Sequence, residues 1–253
     1  MPQTLIIVNA DDLGGTVAIN DAIFGLMEHG LVTSATILAN APGFDDAAGR
    51  LKSLPQCSFG VHLNLTAFAP LTADKAFAPI LDERGCMTRK TERVTPTPAL
   101  LRAAYRELCA QVERCRAAGI DITHFDSHNH IHTLPWLFPA LKALQRKFGV
   151  VRLRSPITLL PDGEMSSGRR LKKGLYRLLA RNVVAARMTD EMVSLLDFQK
   201  RLQNGLPVRA RSIELMVHPG STGLNAIREV ELLRQGCLDA IPFPVRLGTF
   251  RDL

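Results

Sequence analysis

Nine residues, His124-Phe125-Asp126-Ser127-His128-Asn129-His130-Ile131-His132, hold four of the seven histidines in a chain of 253 residues. On a strand, alternate side chains share a face, so His124, Asp126, His128, His130 and His132 would form one row of metal donors. Histidine tracts also occur as solvated edges or tags. This one is internal and runs into the apolar stretch Leu134-Pro135-Trp136-Leu137-Phe138. The row would span about 26 Å at about 3.3 Å per residue, whereas an ion holds its donors at about 2 Å. At most one or two of the five can ligate one ion, and the other ligands must lie elsewhere in the chain.

Several apolar runs end in residues of that kind. Asn9, Asp11 and Asp12 follow Leu5-Ile6-Ile7-Val8, His62 and Asn64 close a third run, Arg152 and Arg154 a fifth, and His218-Pro219-Gly220 a sixth. Parallel α/β folds gather their chemistry at the carboxyl ends of the strands, so these termini and Asp126-Ser127-His128 would converge on one polar centre. Singly, each has an ordinary use: an aspartate caps a helix, His62 sits in a core, His218 serves a turn. Together, two histidines and a carboxylate make an open site for a divalent ion. Such an ion lowers the pKa of its water toward about 7 and polarises a carbonyl, while a second carboxylate takes the proton and a separate histidine protonates the leaving group. The adjacent aspartates suit this division, one for the metal and one for the water.

The elements that must position these residues follow from hydrophobic periodicity. Strands are expected at Thr4 to Val8, Val32 to Leu38, Phe59 to Leu65, Ile122 to His128, Val150 to Arg154, Ile213 to Val217 and Val245 to Gly248. Helices are expected at Ala18 to His29, Phe44 to Leu54, Pro98 to Ala118, Leu137 to Phe148, Leu171 to Arg187, Glu191 to Gln203 and Asn225 to Gln235. The third begins with a Thr97 cap and Pro98 at the first helical position. This alternation predicts a single-domain α/β protein built as a (β/α) barrel, regular or distorted, with an open doubly wound sheet as the alternative. The stretch 67–97, with Pro70, Pro79 and Pro96, reads as a loop insertion that joins the substrate pocket.

Composition bounds the rest. Hydrophobic content of 46% and charged content of 22% describe a globular domain with a large core. No apolar run is long enough to span a bilayer, and the N-terminus lacks a basic and apolar leader, so a cytoplasmic protein is expected. The five scattered cysteines, without a paired spacing, predict free thiols. The net charge of +7 is local: Arg169, Arg170, Lys172, Lys173, Arg177, Arg181 and Arg187 occur without an acid between them. Leu171, Leu175, Leu178, Leu179 and Val183 recur at helical spacing in the same segment, which predicts an amphipathic helix with a cationic outer face over 169–187. That face is read first as solvated or as a subunit contact, and next as a peripheral contact with anionic membrane or anionic substrate. Nucleic acid is not expected, with 6% aromatic residues and no motif for it. A homodimer is left open.

Five motifs in order carry a resemblance: Ile7-Val8-Asn9-Ala10-Asp11-Asp12-Leu13-Gly14, Val32-Thr33-Ser34-Ala35-Thr36, Gly60-Val61-His62-Leu63-Asn64-Leu65-Thr66, the histidine row, and Glu214-Leu215-Met216-Val217-His218-Pro219-Gly220. Together they resemble the YdjC-like carbohydrate deacetylases over nearly the whole chain. The resemblance implies a distorted (β/α) barrel of the polysaccharide-deacetylase type, one divalent metal ion, and removal of an N-acetyl group from an amino sugar, chitooligosaccharide-like or linked to lipid or nucleotide. By motif position it implies Asp12, His62 and His128 as metal ligands and Asp11 as the base. His218 is the candidate acid or oxyanion stabiliser. Asp126 would orient a ligand imidazole, and Asn9, Asn64, His130 and Arg154 would support the site or touch the sugar. Imidazole ligation suits zinc and an oxygen-rich, watered site suits magnesium, so the ion is open between them. Leu13 and Gly14-Gly15 depart from the usual continuation after the aspartate pair, which bears on pocket shape. Two other functions share these residues: a metal-dependent phosphoesterase, and a non-catalytic metal-binding or membrane-surface module.

Overall fold

The computed structural model describes residues 3–253. The apolar opening run starts β1 (Thr4–Leu13), and among the described residues seven more strands follow: β2 (Ser34–Ile37), β3 (Ser58–Leu63), β4 (Ile122–Ser127), β5 (Arg152–Leu153), β6 (Glu191–Ser194), β7 (Ser212–Val217) and β8 (Val245–Leu247). They pair in parallel in the order β5-β4-β3-β2-β1-β7-β6, with β8 added against β1. One edge of β1 carries β7 along Leu5–Ala10. Its other edge is shared in succession, β8 at Thr4–Ile6 and β2 from Asn9 to Leu13.

The ring is completed between β5 and β6 without a regular ladder. Leu153 N donates to Arg187 O and Arg187 N to Val151 O, each at 3.0 Å; further along, Met192 N donates to Ile157 O at 2.8 Å and Leu159 N to Met192 O at 3.0 Å. The result is the expected distorted (β/α) barrel, with one irregular seam.

Among the described residues, seven helices clothe the barrel: α1 (Val17–Glu28), α2 (Phe44–Arg50), α3 (Pro98–Ala117), α4 (Phe138–Phe148), α5 (Ser167–Val184), α6 (Leu195–Gln203) and α7 (Leu224–Arg234). Thr16, Thr97 and Ser194 cap α1, α3 and α6 through side-chain oxygens that accept backbone N–H bonds. Strand alternation then sorts β1 by face. Ile6, Val8 and Ala10 join the large apolar core shared with Ile23, Phe24 and Leu26, whereas Leu5 and Ile7 pack in a separate cluster with Phe250. Phe250 begins a 3-10 turn (Phe250–Asp252), and its N–H reaches Ser58 Oγ at 3.2 Å. The chain's C-terminal turn thus plugs one mouth of the barrel and leaves the carboxyl ends of the strands for the site.

Four expectations are corrected. Glu191 to Gln203 is not one helix: its first four residues extend as β6 between β7 and the seam, where Met192 and Val193 are buried, and Ser194 then caps α6. The histidine row ends as a strand at Ser127. Asn129 (φ 51°) and His130 (φ 55°) turn left-handed inside a 3-10 segment (His128–Thr133), so His130 and His132 leave the face that His124 and Asp126 share. The insertion 67–97 packs down through buried Phe77, Ile80 and Met87 and is tied to α3, where Glu107 accepts from Leu71 N, Thr72 N and Thr72 Oγ1. None of its residues lines the large cleft beside the strand ends. Finally, the leucine row of α5 faces outward rather than into the protein.

The free thiols are as expected: no disulfide occurs among the described residues, and Cys57, Cys109, Cys115 and Cys237 are buried. Among the same residues, no helix is long and apolar enough to cross a membrane.

Candidate metal centre and active site

The barrel interior is polar from the plug upward. Directly above Phe250, the buried His124 ring stacks on it with centroids 3.5 Å apart and planes 8° apart. Opposite stands Gly60, where a Cβ would come within 2.6 Å of the His124 ring. Only glycine leaves room for that imidazole. Burial, reinforced by the charge of Arg154, pushes His124 well below the ordinary histidine pKa, so it is a neutral structural ring.

One layer higher, a single guanidinium organises three carboxylates. Arg154 is fully buried. It grips Asp11 in bidentate fashion (Nη1 to Oδ2 2.7 Å, Nη2 to Oδ1 2.5 Å), donates from Nε to Glu214 Oε1 at 2.8 Å, and lies 3.0 Å from Asp126 Oδ2. Burial works to raise the Asp11 carboxyl, and the Arg154 charge overrides it, holding Asp11 well below the carboxylate range. Glu214 shifts the other way from Asp11: burial pushes it up to about 7 in spite of the same guanidinium. Arg154 itself, surrounded by acids that outweigh its own desolvation, stays charged.

At the top, β1 bends. Its register against β2 shifts between Ala10 and Leu13, and Asp12 adopts φ 66°. In a regular strand, neighbours face opposite sides; this irregularity brings both aspartates to the same centre. Asp12 Oδ1 lies 2.9 Å from His128 Nδ1 and 3.3 Å from His62 Nε2. Donor atoms about 2 Å from a common ion would stand ~3.0–3.4 Å apart, so Asp12, His62 and His128 fit a divalent metal. The other nitrogen of His62 meets Asp126 Oδ1 at 2.7 Å, and Thr36 Oγ1 donates to Asp126 Oδ2 at 2.9 Å. This fixes the imidazole with Nε2 toward Asp12. Without metal, His62 is desolvated yet held up by the Asp126 charge and its bonds to Asp12 and Asp126, reaching about 10; Asp12 is held low against its own burial by the two imidazoles. A second set, Asp11, His62 and Asp126, is equally crowded. There the Arg154 guanidinium already occupies the position of a cation.

The sequence pattern of the YdjC-like protein family matches residues 5–236. The chain belongs to that family. Among its relatives, a carbohydrate deacetylase from Geobacillus stearothermophilus is 39% identical over 148 residues, 58% of this chain and 58% of that protein. The match therefore spans little more than half of that relative. A chitooligosaccharide deacetylase from Klebsiella pneumoniae is 29% identical over 99% of this chain and 100% of its own length. A crystal structure from Enterococcus faecalis, named provisionally as a cellobiose-phosphate cleavage protein, superposes with a TM-score of 0.76 at 25% identity, covering 99% of this chain and 98% of that one.

In this YdjC-like chain the remaining sequence candidates divide. His218 approaches the centre, Nε2 at 4.0 Å from Asp11 Oδ2, while its Nδ1 is 3.6 Å from Glu229 Oε2. Burial would lower its pKa, but the Glu229 and Asp11 carboxylates prevail and raise it. Gly220 (φ 80°) holds this turn against α1, where a Cβ would meet Ile19 Cα at 2.7 Å. Asn9 Nδ2 donates to Asp11 Oδ1 at 2.9 Å. Asn64 lies outside the constellation: it folds its own loop, accepting from Thr66 N and Ala67 N and donating to Ala67 O. His130 lines the neighbouring cleft, with Nδ1 buried and without a hydrogen-bond partner; burial and Arg154 depress its pKa to about 4.

Thr36 and Glu214 stand in the motifs that carry the resemblance without a role assigned to them, and Glu229 stands outside those motifs. An acid inside Ile213-Glu214-Leu215-Met216-Val217 and another on the apolar face Ala226-Glu229-Leu233 of α7 were the available signals.

Proposed function

We propose that the chain hydrolyses the N-acetyl group of an amino sugar, with one divalent ion held by Asp12, His62 and His128. The observation that carries this reading is the metal-spaced triad with an ionised, bidentately held Asp11 beside it, in a family whose relatives named above are carbohydrate deacetylases. Such an ion supplies polarisation of the acetyl oxygen and a water of lowered pKa.

The protein's own groups do the rest. Asp11 receives the proton of the attacking water; Arg154 and Asn9 bind its oxygens and leave further lone pairs free. Water oxygen forms the new bond to the acetyl carbon, the C–N bond breaks, and His218, charged through Glu229 and Asp11, gives the amine its proton. Acetate and a free amino sugar leave. Asp126 keeps His62 in one tautomer throughout. The cleft beside the centre, about 770 Å³ and bordered by His130, Ser155, Ser194 and Met216, is where the sugar would lie.

The test is an acetate-release screen over N-acetylated mono-, oligo-, nucleotide- and lipid-linked sugars, with zinc and magnesium varied and phosphate release followed in parallel. Acetate release that needs metal supports the proposal. Phosphate release with two ions per chain supports the phosphoesterase, against which the Arg154-filled second set already argues.

A further inference from the structure

The helix α5 carries the largest departure from ordinary surface design in the molecule. Leu171, Leu175, Leu178, Leu179 and Val183 are 75%, 54%, 56%, 45% and 37% exposed. At 100° per residue they share one face, with Lys172 between Leu179 and Val183 and with Arg181 and Arg170 along the edge beside Leu178. No acidic residue occurs from 169 to 187. The opposite side already anchors the helix: Ala180 is buried, Tyr176 donates to the His132 carbonyl, Lys173 Nζ to Thr158 Oγ1, and Arg177 to the Asp190 carbonyl.

We propose that this outward face of α5 docks on an anionic lipid surface. An apolar stripe with cations beside it is the arrangement by which a helix lies in the plane of a bilayer, its leucines among the acyl chains and its cations at the headgroups. Charge complementarity selects this occupant. A second copy of the chain would bring the same cations face to face, and a nucleic acid would leave the leucines in water. The stripe is also continuous with the cleft: Leu175, Leu179, Arg169 and Lys172 line both. Docking therefore turns the cleft, and the metal centre beyond it, toward a sugar displayed on a lipid. That last step rests on the deacetylase reading; the docking itself does not.

Sedimentation of the full-length protein with vesicles tests it. Phosphatidylcholine vesicles are compared with vesicles containing 30 mol% phosphatidylglycerol (about a third anionic lipid), with and without soluble glycerol phosphate and at raised salt. Partitioning is expected to be at least about tenfold stronger on the anionic vesicles, to weaken with salt, and to survive glycerol phosphate. Leu171→Ser with Leu178→Ser, and separately Arg181→Glu, should each lower it about tenfold. These residues lie outside the cleft lining, so acetate release from a soluble sugar and the unfolding midpoint should be unchanged. Equal binding to both vesicles, full competition by glycerol phosphate, indifference to both variants, or a dimer that the leucine variant dissolves would each overturn the proposal. A failure of acetate release with intact vesicle binding would remove only the deacetylase reading.

Discussion

The centre of the barrel and the outside of α5 invert the usual distribution of polarity in opposite ways. Inside, Arg154, Asp11, Asp126, Glu214 and two histidines are shielded from water; outside, a leucine stripe faces it. Each interior carboxylate reaches the same guanidinium, while Glu214 Oε2 and His124 Nε2 are buried without a hydrogen-bond partner. The exterior stripe has no partner within the described residues. Buried charge that is already paired points to a fixed device that sets protonation and geometry. Exposed apolar surface without a partner points outward, to something the protein meets.

The comparison can be broken most forcefully at Asp11. Asp11→Asn keeps the shape and removes the base, so acetate release should fall by about two to four orders of magnitude while metal content per chain, read by elemental analysis, stays at one. Retained activity would mean that the interior charges serve only stability. Next comes Arg154→Met, which leaves three acids without their cation; unfolding in urea should show a loss of about 3–5 kcal/mol. Gly60→Ala drives a methyl into the His124 ring and should cost about 1–3 kcal/mol by the same measurement.

A smaller effect concerns the attachment of α5. Lys142 bridges Gln145 Oε1 and the Ala180 carbonyl of α5, and burial lowers it to about 8. Its folded pKa lies below the unfolded value, so the unfolded chain holds the extra proton between about 8 and 10.5, and stability from this group rises with pH across that window. Lys142→Met should flatten that rise relative to the wild type in pH-dependent urea midpoints. Smallest of all, Leu171→Ser with Leu178→Ser should change stability by no more than about 0.5 kcal/mol. A large loss there would show that the stripe belongs to the fold after all.

Much of this was legible because apolar runs and strand alternation are local. β3, β4 and β7 lie close to where periodicity places them, and β1 starts at the expected Thr4 but continues past Val8 to Leu13, with the polar ends converging as expected. The failures have physical causes. Glu191 to Gln203 reads as one helix because four strand residues carry no period of their own, and only the edge offered by β7 extends them. The strand expected to reach His128 ends at Ser127, and Asn129-His130, of residue types that tolerate the left-handed region, signal that turn only weakly. Arg154 was visible as a cation near a strand end, but its joining of Asp11, Asp126 and Glu214 is a property of barrel closure. The outward turn of the α5 leucines was equally hidden, since a helical period says which residues share a face and not which way that face looks.

The seam between β5 and β6 gives α5 a mechanical meaning. Elsewhere neighbouring strands are joined by ladders of two or more residue pairs; here the ring is held by separate pairs at Arg152–Arg187 and Thr158–Met192, and α5 lies in the stretch of chain between these strands. A pull on α5 would load those few bonds first. Under force or during slow opening, the barrel would tear along this line, as a hoop parts at its rivets. Arg154, immediately after β5, sits at that line, so the charged centre would feel the first movement of the helix.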